Sequence, residues 1–178
     1  KVYLLCTDGV AEFDLTTQRF KTLLQGNVDA IYFNEKLYIG KREEVFVYNE
    51  STGNFDLYYH LAGKDITLSC LHLDEKKNLW MGTTSNGLYC LSGDKKISQP
   101  VSRGNIASIY EDSSKELWIC TWEEGLYRIK TDSTIENFRH DPKNPNSICA
   151  DFVRSCCEDN AGNLWIGTNG DGLVYFDR

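Results

Sequence analysis

No stretch of this 178-residue sequence stays apolar over the roughly 20 residues that a membrane-spanning helix needs. Basic residues are outnumbered, 19 against 26 acidic ones, and the formal net charge is −7. This balance argues against nucleic acid or an anionic membrane surface as a partner of the chain. The amino-terminal residues lack the cleavage region of a signal peptide, so we expect any targeting segment to lie outside the chain.

Signatures of catalysis and of metal binding are missing as well. Three histidines are too few for a histidine-rich site, and no Cys-x-x-C pair, G-x-S-x-G, H-E-x-x-H or phosphate-binding glycine motif occurs. We interpret the seven cysteines as reduced and structural, with Cys70 and Cys120 as small buried residues. Cys156 and Cys157 follow each other on one strand, so their side chains leave opposite faces. The sequence predicts no catalytic residue, no metal site and no cofactor.

What the sequence does contain is one five-residue string, repeated with small changes. Leu164–Thr168 (Leu-Trp-Ile-Gly-Thr) is the cleanest copy, 79–83 and 117–121 follow it closely, and weaker copies begin at Leu37 and Val2. The first residues of these copies lie 35, 42, 38 and 47 positions apart. A period near 40 residues with four short strands per unit is typical of β-propellers.

Each repeat predicts four antiparallel strands, because apolar and polar residues alternate and a glycine follows the string. The repeated aromatic residues are predicted to pack between blades, and the glycines to permit a turn with positive φ into the third strand. These structural repeat positions are Tyr38, Trp80, Trp118, Trp165, Gly87, Gly125 and Gly172.

An aspartate stands five residues before the leading leucine in three copies, at positions 74, 112 and 159. A carboxylate there can accept backbone N–H bonds of its own turn. Calcium binding is the alternative interpretation, but the spacing supplies few oxygen ligands.

We therefore predict an all-β fold, a β-propeller segment with three complete four-stranded antiparallel blades and two partial ones. It would be an incomplete arc of a larger propeller, whose exposed blade edges favour self-association. The predicted division is residues 1–25 (partial blade), 26–63, 64–101, 102–142 and 148–178 (partial blade).

The repeat from Asp159 to Thr168, with Gly172 and Leu173 after it, resembles the two-component regulator propeller repeat. The linker 140–148, which contains Asp-Pro-x-Asn-Pro-x-Ser, is similar to one between blades of that family. The resemblance implies the periplasmic sensor region of a Bacteroidetes-type hybrid histidine kinase. It also implies a transmembrane helix and kinase, receiver and DNA-binding modules beyond Arg178, an oligosaccharide as ligand, and control of polysaccharide utilisation.

Candidate ligand-binding residues gather in the loops at one rim of the predicted central channel, and Arg154 is predicted on an inner strand, facing the channel or a neighbouring blade. Trp122 stands where the neighbouring repeats have Thr84 and Asn169, and an indole there can stack on a pyranose ring. An indole beside arginines, amides and carboxylates suits a polar or acidic glycan. The full predicted set is Trp122, Arg103, Asn105, Glu123, Arg154, Asn169 and Asp171.

Three alternatives to a glycan-sensing rim stay open at this point. The rim could be a solvated surface that carries a tryptophan by chance. The propeller could be an enzyme, a lyase or hydrolase acting on a glycan, which a cluster of histidine and acidic residues at the rim would favour. It could also be a scaffold for protein partners, which a broad apolar rim would favour.

Overall fold

The computed structural model of the chain describes residues 1–63 and 65–177, and every regular element in those ranges is a β-strand. Within these ranges there is no helix long and apolar enough to cross a membrane. The strands are, in chain order, β1 (Val2–Cys6), β2 (Gly9–Asp14), β3 (Arg19–Gln25), β4 (Ala30–Asn34), β5 (Lys36–Lys41), β6 (Glu44–Asn49), β7 (Asn54–His60), β8 (Leu68–Leu73), β9 (Leu79–Thr83), β10 (Leu88–Leu91), β11 (Ile97–Val101), β12 (Ile106–Glu111), β13 (Leu117–Thr121), β14 (Leu126–Ile129), β15 (Ile135–Phe138), β16 (Val153–Glu158), β17 (Leu164–Thr168) and β18 (Leu173–Phe176).

The strands form five antiparallel sheets in which each strand pairs with its neighbours in the chain: β1–β3, β4–β7, β8–β11, β12–β15 and β16–β18. We call them the first to the fifth sheet. The middle three have four strands, and the first and last have three. This confirms the predicted all-β propeller segment with three complete and two partial blades. The predicted limits at residues 64 and 178 fall outside the described residues.

The hydrophobic core lies between the sheets. We call the space between two consecutive sheets a seam, so that the first seam lies between the first and second sheets and the fourth seam between the fourth and fifth. Each of these four seams contains one cluster of buried side chains. In the third seam, for example, Trp80 of the third sheet packs with Leu117 and Ile119 of the fourth. Burying one such side chain stabilises the fold by about 1.5–3 kcal/mol. A single sheet has nothing to bury its faces against, so each blade depends on its neighbours.

The motif tryptophans and the preceding aspartates form a repeated hydrogen-bond arrangement. One oxygen of each carboxylate accepts the backbone N–H four residues ahead, over 2.8–3.0 Å, which confirms the predicted role in the turn. The other oxygen accepts the indole N–H, a bond that the sequence did not predict. The indole bonds measure 2.9, 2.7 and 3.1 Å for Trp80–Asp74, Trp118–Asp112 and Trp165–Asp159. In the described part of the chain no group of three or more His, Cys, Asp or Glu side chains is arranged to hold a metal ion.

Trp165 departs from the predicted burial between blades. Trp80 and Trp118 are 8% and 0% exposed, whereas Trp165 is 37% exposed. The first two are covered by the sheet that follows them, and the described residues contain no sheet after the fifth. The prediction is therefore wrong for Trp165, because it lies on the open face of the arc. Tyr38 at the second seam is buried.

His72 on β8 lies in the third seam, where its Nε2 is 3.4 Å from Oε2 of Glu111 on the fourth sheet. Its ring meets that of Tyr32 edge to face, with centroids 5.3 Å apart. Burial lowers the pKa of His72 below its ordinary 6.5, although the nearby carboxylates of Glu111 and Asp74 oppose this. The neutral imidazole is therefore the favoured form in the folded chain.

This pKa shift predicts a pH dependence of stability. Because the pKa is lower in the folded than in the unfolded chain, the unfolded chain takes up the proton first when the pH falls below 6.5. We expect the free energy of unfolding to be highest above pH 7 and to decrease from 6.5 down to the folded-state pKa. Urea unfolding at pH 7.5 and pH 5 measures this loss, and His72→Tyr should reduce it. Equal losses in His72→Tyr and the unmodified chain would contradict the prediction.

Candidate functional site

Trp122 opens the loop between β13 and β14, and hydrogen bonds hold this loop from both sides. The buried Thr121 hydroxyl donates to the carbonyl of Gly125 over 2.7 Å and accepts the N–H of Glu124 over 2.9 Å. The N–H of Trp122 donates to the carbonyl of Asn105 over 3.0 Å, in the linker that enters the fourth sheet. These hydrogen bonds fix the backbone of Trp122, and the residue is half-buried.

The structure brings Arg154 and Trp122 together across the fourth seam. The Arg154 guanidinium carbon lies 5.3 Å from the centroid of the indole, within the range of a cation–π contact. Arg154 belongs to β16 of the fifth sheet, and its carbonyl accepts a hydrogen bond of 2.9 Å from the Ser108 hydroxyl of the fourth. The pair thus joins two blades at the rim.

The other predicted rim residues take different positions. Arg103 is exposed, and its Nε lies 3.8 Å from Oε1 of Glu124. The carbonyl of the exposed Glu123 accepts a hydrogen bond of 2.9 Å from Arg139. Asn169 and Asp171, in the corresponding loop of the fifth sheet, use their backbones. The N–H of Asn169 donates to the carbonyl of Phe152 over 2.9 Å, and the carbonyl of Asp171 accepts the thiol of Cys149 over 3.4 Å.

An arginine that the sequence analysis missed organises this part of the rim. Arg139 follows β15 and donates to Oε2 of Glu124 over 2.6 Å and to Oδ2 of Asp151 over 2.8 Å. These partners and the carbonyl of Glu123 come from a loop and a linker that are separated along the chain. No local pattern marks these residues, so only the folded arrangement identifies them.

The ion pair of Arg139 and Asp151 is held in its charged form. Partial burial alone would raise the pKa of Asp151, but hydrogen bonds from Arg139 and from the N–H of His140 outweigh it and lower that pKa. The bond to Asp151 likewise raises the pKa of Arg139. The guanidinium of Arg139 thus forms ion pairs with carboxylates, whereas that of Arg154 lies over an aromatic ring.

The linker 140–148 folds on itself through the polar residues of its motif. The N–H of Asp141 donates to the Ser147 hydroxyl over 3.0 Å, and the Asp141 carboxylate accepts the N–H of Lys143 over 2.9 Å. Asn144 accepts the N–H of Asn146 over 3.0 Å. These hydrogen bonds shape the linker. It begins beside the Arg139 network, because the N–H of His140 donates to Oδ1 of Asp151 over 2.8 Å.

Comparison with known proteins identifies the repeat. Residues 100–123 and 147–170 match the family described as the two-component regulator propeller. The two segments contain β12 with β13 and β16 with β17. These two segments of the chain are therefore similar to the two-component regulator propeller repeat, as the string and linker predicted. No curated protein sequence matches the chain.

Solved structures show the same fold. The extracellular domain assigned to the hybrid two-component system BT4673 of B. thetaiotaomicron is 21% identical with a TM-score of 0.82, over 99% of this chain and 26% of that one. The corresponding domain of BT3049 is 23% identical with a TM-score of 0.80, over 98% and 25%. Virginiamycin B lyase of Staphylococcus aureus is 14% identical with a TM-score of 0.70, over 96% and 63%. The chain spans about a quarter of the length of the first two.

Proposed function

We propose that this chain is a ligand-sensing, non-catalytic part of the extracytoplasmic sensor of a hybrid two-component system. Two observations support the proposal: the two-component regulator propeller repeats, and the fold shared with extracellular domains of such systems. In this proposal the segment lies in the periplasm. The membrane helix and the kinase, receiver and DNA-binding modules belong to other parts of the protein.

The ligand we propose is an oligosaccharide, bound at the rim formed by Trp122 and Arg154. The observation that carries this proposal is the half-buried indole, fixed by backbone hydrogen bonds and covered by a guanidinium from the next blade. A sugar ring can stack on the indole, while Arg154 donates to a carboxylate or hydroxyl of the same ligand. In this proposal the exposed Arg103, Glu123, Asn169 and Asp171 add polar groups to the same rim.

A ligand held by both residues would contact two sheets at once. It would favour the arrangement of the fourth and fifth sheets in which Trp122 and Arg154 are close. A ligand can shift a conformational equilibrium only through its different affinity for the two states. In this way binding at the rim would alter the packing of the propeller against the following domains and so control polysaccharide utilisation.

The test is isothermal titration calorimetry of the protein with neutral and acidic oligosaccharides. We expect Trp122→Ala to weaken the binding of the ligand about tenfold, since the lost stacking is worth about 1 kcal/mol or more. Arg154→Ala and Arg103→Ala should weaken acidic ligands more than neutral ones. Thr84→Ala, at the matching place one blade earlier, should leave affinity unchanged. Equal affinity of Trp122→Ala and the unmodified protein would remove the site from the rim.

A propeller enzyme is the second candidate, because the fold is shared with a lyase. The same titrations separate the two candidates when the oligosaccharides are recovered and analysed by mass spectrometry. A sensor returns its ligand unchanged. Shortened or unsaturated products that disappear in a rim variant would establish an enzyme instead.

The open ends of the arc are proposed to contact further blades of the longer protein or a second copy of the chain. The edge and face of the fifth sheet expose Leu173 and Tyr175, and the first sheet exposes Leu4 and Leu5. Exposed strand edges with apolar side chains favour pairing with other strands. Sedimentation velocity of the isolated chain over a range of concentrations would reveal self-association. A monomer at all concentrations would contradict pairing between copies.

A further inference from the structure

Two cysteines lie in the fourth seam, near the Trp122–Arg154 pair along the chain. Cys120, on β13, is two residues before Trp122, and Cys156, on β16, is two residues after Arg154. Further along β16, the Glu158 carboxylate accepts two hydrogen bonds of 2.7 Å from Ser113 of the fourth sheet. The face of β16 that carries residues 156 and 158 is therefore turned towards the fourth sheet.

Both thiols belong to one cluster of side chains in the fourth seam. Cys120 is fully buried in that cluster, and the partly buried Cys156 packs against it. Hydrogen bonding with Cys156 lowers the pKa of Cys120, whereas hydrogen bonding with Cys120, together with burial, raises the pKa of Cys156.

Both cysteines replace other residues of the repeat, and both replacements fall at the same seam. Cys120 stands where the third and fifth sheets have Gly82 and Gly167. Cys156 stands where the third and fourth sheets have Leu71 and Ile109.

The fourth sheet has room for the extra side chain. At the matching position of the third sheet, a Cβ atom added to Gly82 would lie 2.4 Å from Sγ of Cys70 and 2.8 Å from Cγ2 of Ile106. There is therefore no space for a side chain at Gly82. The repeat of β13 has the smaller Ser108 and Val153 at the places of Cys70 and Ile106. These substitutions accommodate a thiol that the preceding seam excludes.

We infer that Cys120 and Cys156 are a redox-active dithiol, which a hydroperoxide converts into a disulfide between the fourth and fifth sheets. One of the two thiolates attacks a peroxide oxygen, the O–O bond breaks, and a sulfenic acid forms as the first water leaves. The sulfur of the other cysteine then attacks the sulfenic sulfur, and the S–S bond forms as the second water leaves. The two thiols lose two electrons and two protons, and one hydrogen peroxide is reduced to two waters. A reducing thiol reverses the reaction.

Such a bond would fix the seam that supports the rim pair. It would add a covalent link between two sheets that packing and hydrogen bonds already join. Cross-linking restricts the unfolded chain, so the oxidised protein should unfold about 5 °C or more above the reduced protein. This inference stands on the seam geometry and does not depend on the identity of the rim ligand.

The experiment is mass spectrometry of the folded protein after treatment with hydrogen peroxide. Trypsin releases Cys120 in the peptide 116–128, which contains no other cysteine. We expect this peptide to become linked to the one that carries Cys156 and to be freed by dithiothreitol. That second peptide also contains Cys157, whose thiol is exposed. The assay therefore uses the variant Cys157→Ser, in which only Cys156 of this peptide can form the link. Cys90→Ser, at a buried thiol of the third sheet, is the control for handling.

The link should persist in Cys157→Ser and Cys90→Ser and disappear in Cys156→Ser, where Cys120 should instead remain a thiol or stop at the sulfenic acid. A link that is lost in Cys157→Ser, or peroxide-treated protein in which Cys120 stays unlinked, would overturn the inference. Cys157→Ser changes an exposed side chain. The outcome in this variant therefore tests the inference even if Cys156→Ser or Cys90→Ser fails to fold.

Discussion

Replacing Trp118 with alanine should lower the free energy of unfolding by about 3–5 kcal/mol, the largest loss we expect from one side chain of the repeat. The indole is 0% exposed. Its ring lies 5.9 Å from that of Phe138 and 5.8 Å from that of Phe176, and the Arg128 guanidinium covers it at 5.3 Å. The substitution also removes the indole donor from the buried Asp112 carboxylate. Urea unfolding followed by circular dichroism measures the loss.

Trp165→Ala is the matched control, since it changes the same residue of the same string. Trp165 keeps the aspartate bond, at 3.1 Å, but it lies on the open face of the fifth sheet. We expect it to cost about 1 kcal/mol, as at a partly exposed site. Similar losses for the two tryptophans would show that burial between blades is not what stabilises the repeat.

Replacing Gly125 with alanine should cost about 3 kcal/mol, because two penalties combine. Gly125 has φ of +75°, a conformation that an L-residue with a side chain adopts at a cost. Its Cβ would also lie 2.2 Å from the carbonyl oxygen of Phe138 on β15. That strand pairs with β14, where Leu126 faces Phe138, so relief of the clash disturbs the pairing.

Gly172→Ala separates the two penalties. Gly172 occupies the same place in the fifth sheet and has φ of +89°, but no atom lies within 4 Å of its Cβ position. The substitution should therefore lower the free energy of unfolding only by the conformational contribution, about 1 kcal/mol. Thermal unfolding of both variants gives the comparison. A loss in Gly172→Ala as large as in Gly125→Ala would mean that backbone conformation alone accounts for the effect.

The strand-by-strand architecture could be predicted because each of its signals is local. Alternation in Leu117–Thr121 marks a strand, and Gly125 marks the turn that follows. The aspartate five residues before each leading leucine marks the preceding turn. Repetition of the same signals along the chain then gives the number of strands and their grouping into sheets.

The candidate site was predictable only in part. Trp122 was identifiable because an aromatic residue replaces polar ones at one place of the repeat, and Arg154 because it lies on the adjacent inner strand. The network of Arg139 with Glu124 and Asp151 could not be predicted, since its members come from loops with no common pattern.

The sequence by itself determined the repeating unit, its strands and its turns, because alternation and turn glycines act between residues a few positions apart. Only the tertiary structure decided which surfaces of those units are covered. Trp118 and Trp165 occupy identical places in the string, yet one is enclosed and the other is open to solvent. The contact of Trp122 with Arg154 and the shared seam of Cys120 and Cys156 likewise depend on how adjacent sheets stack. That stacking follows from burial in the seams, between residues too far apart in the chain for a local pattern to record it.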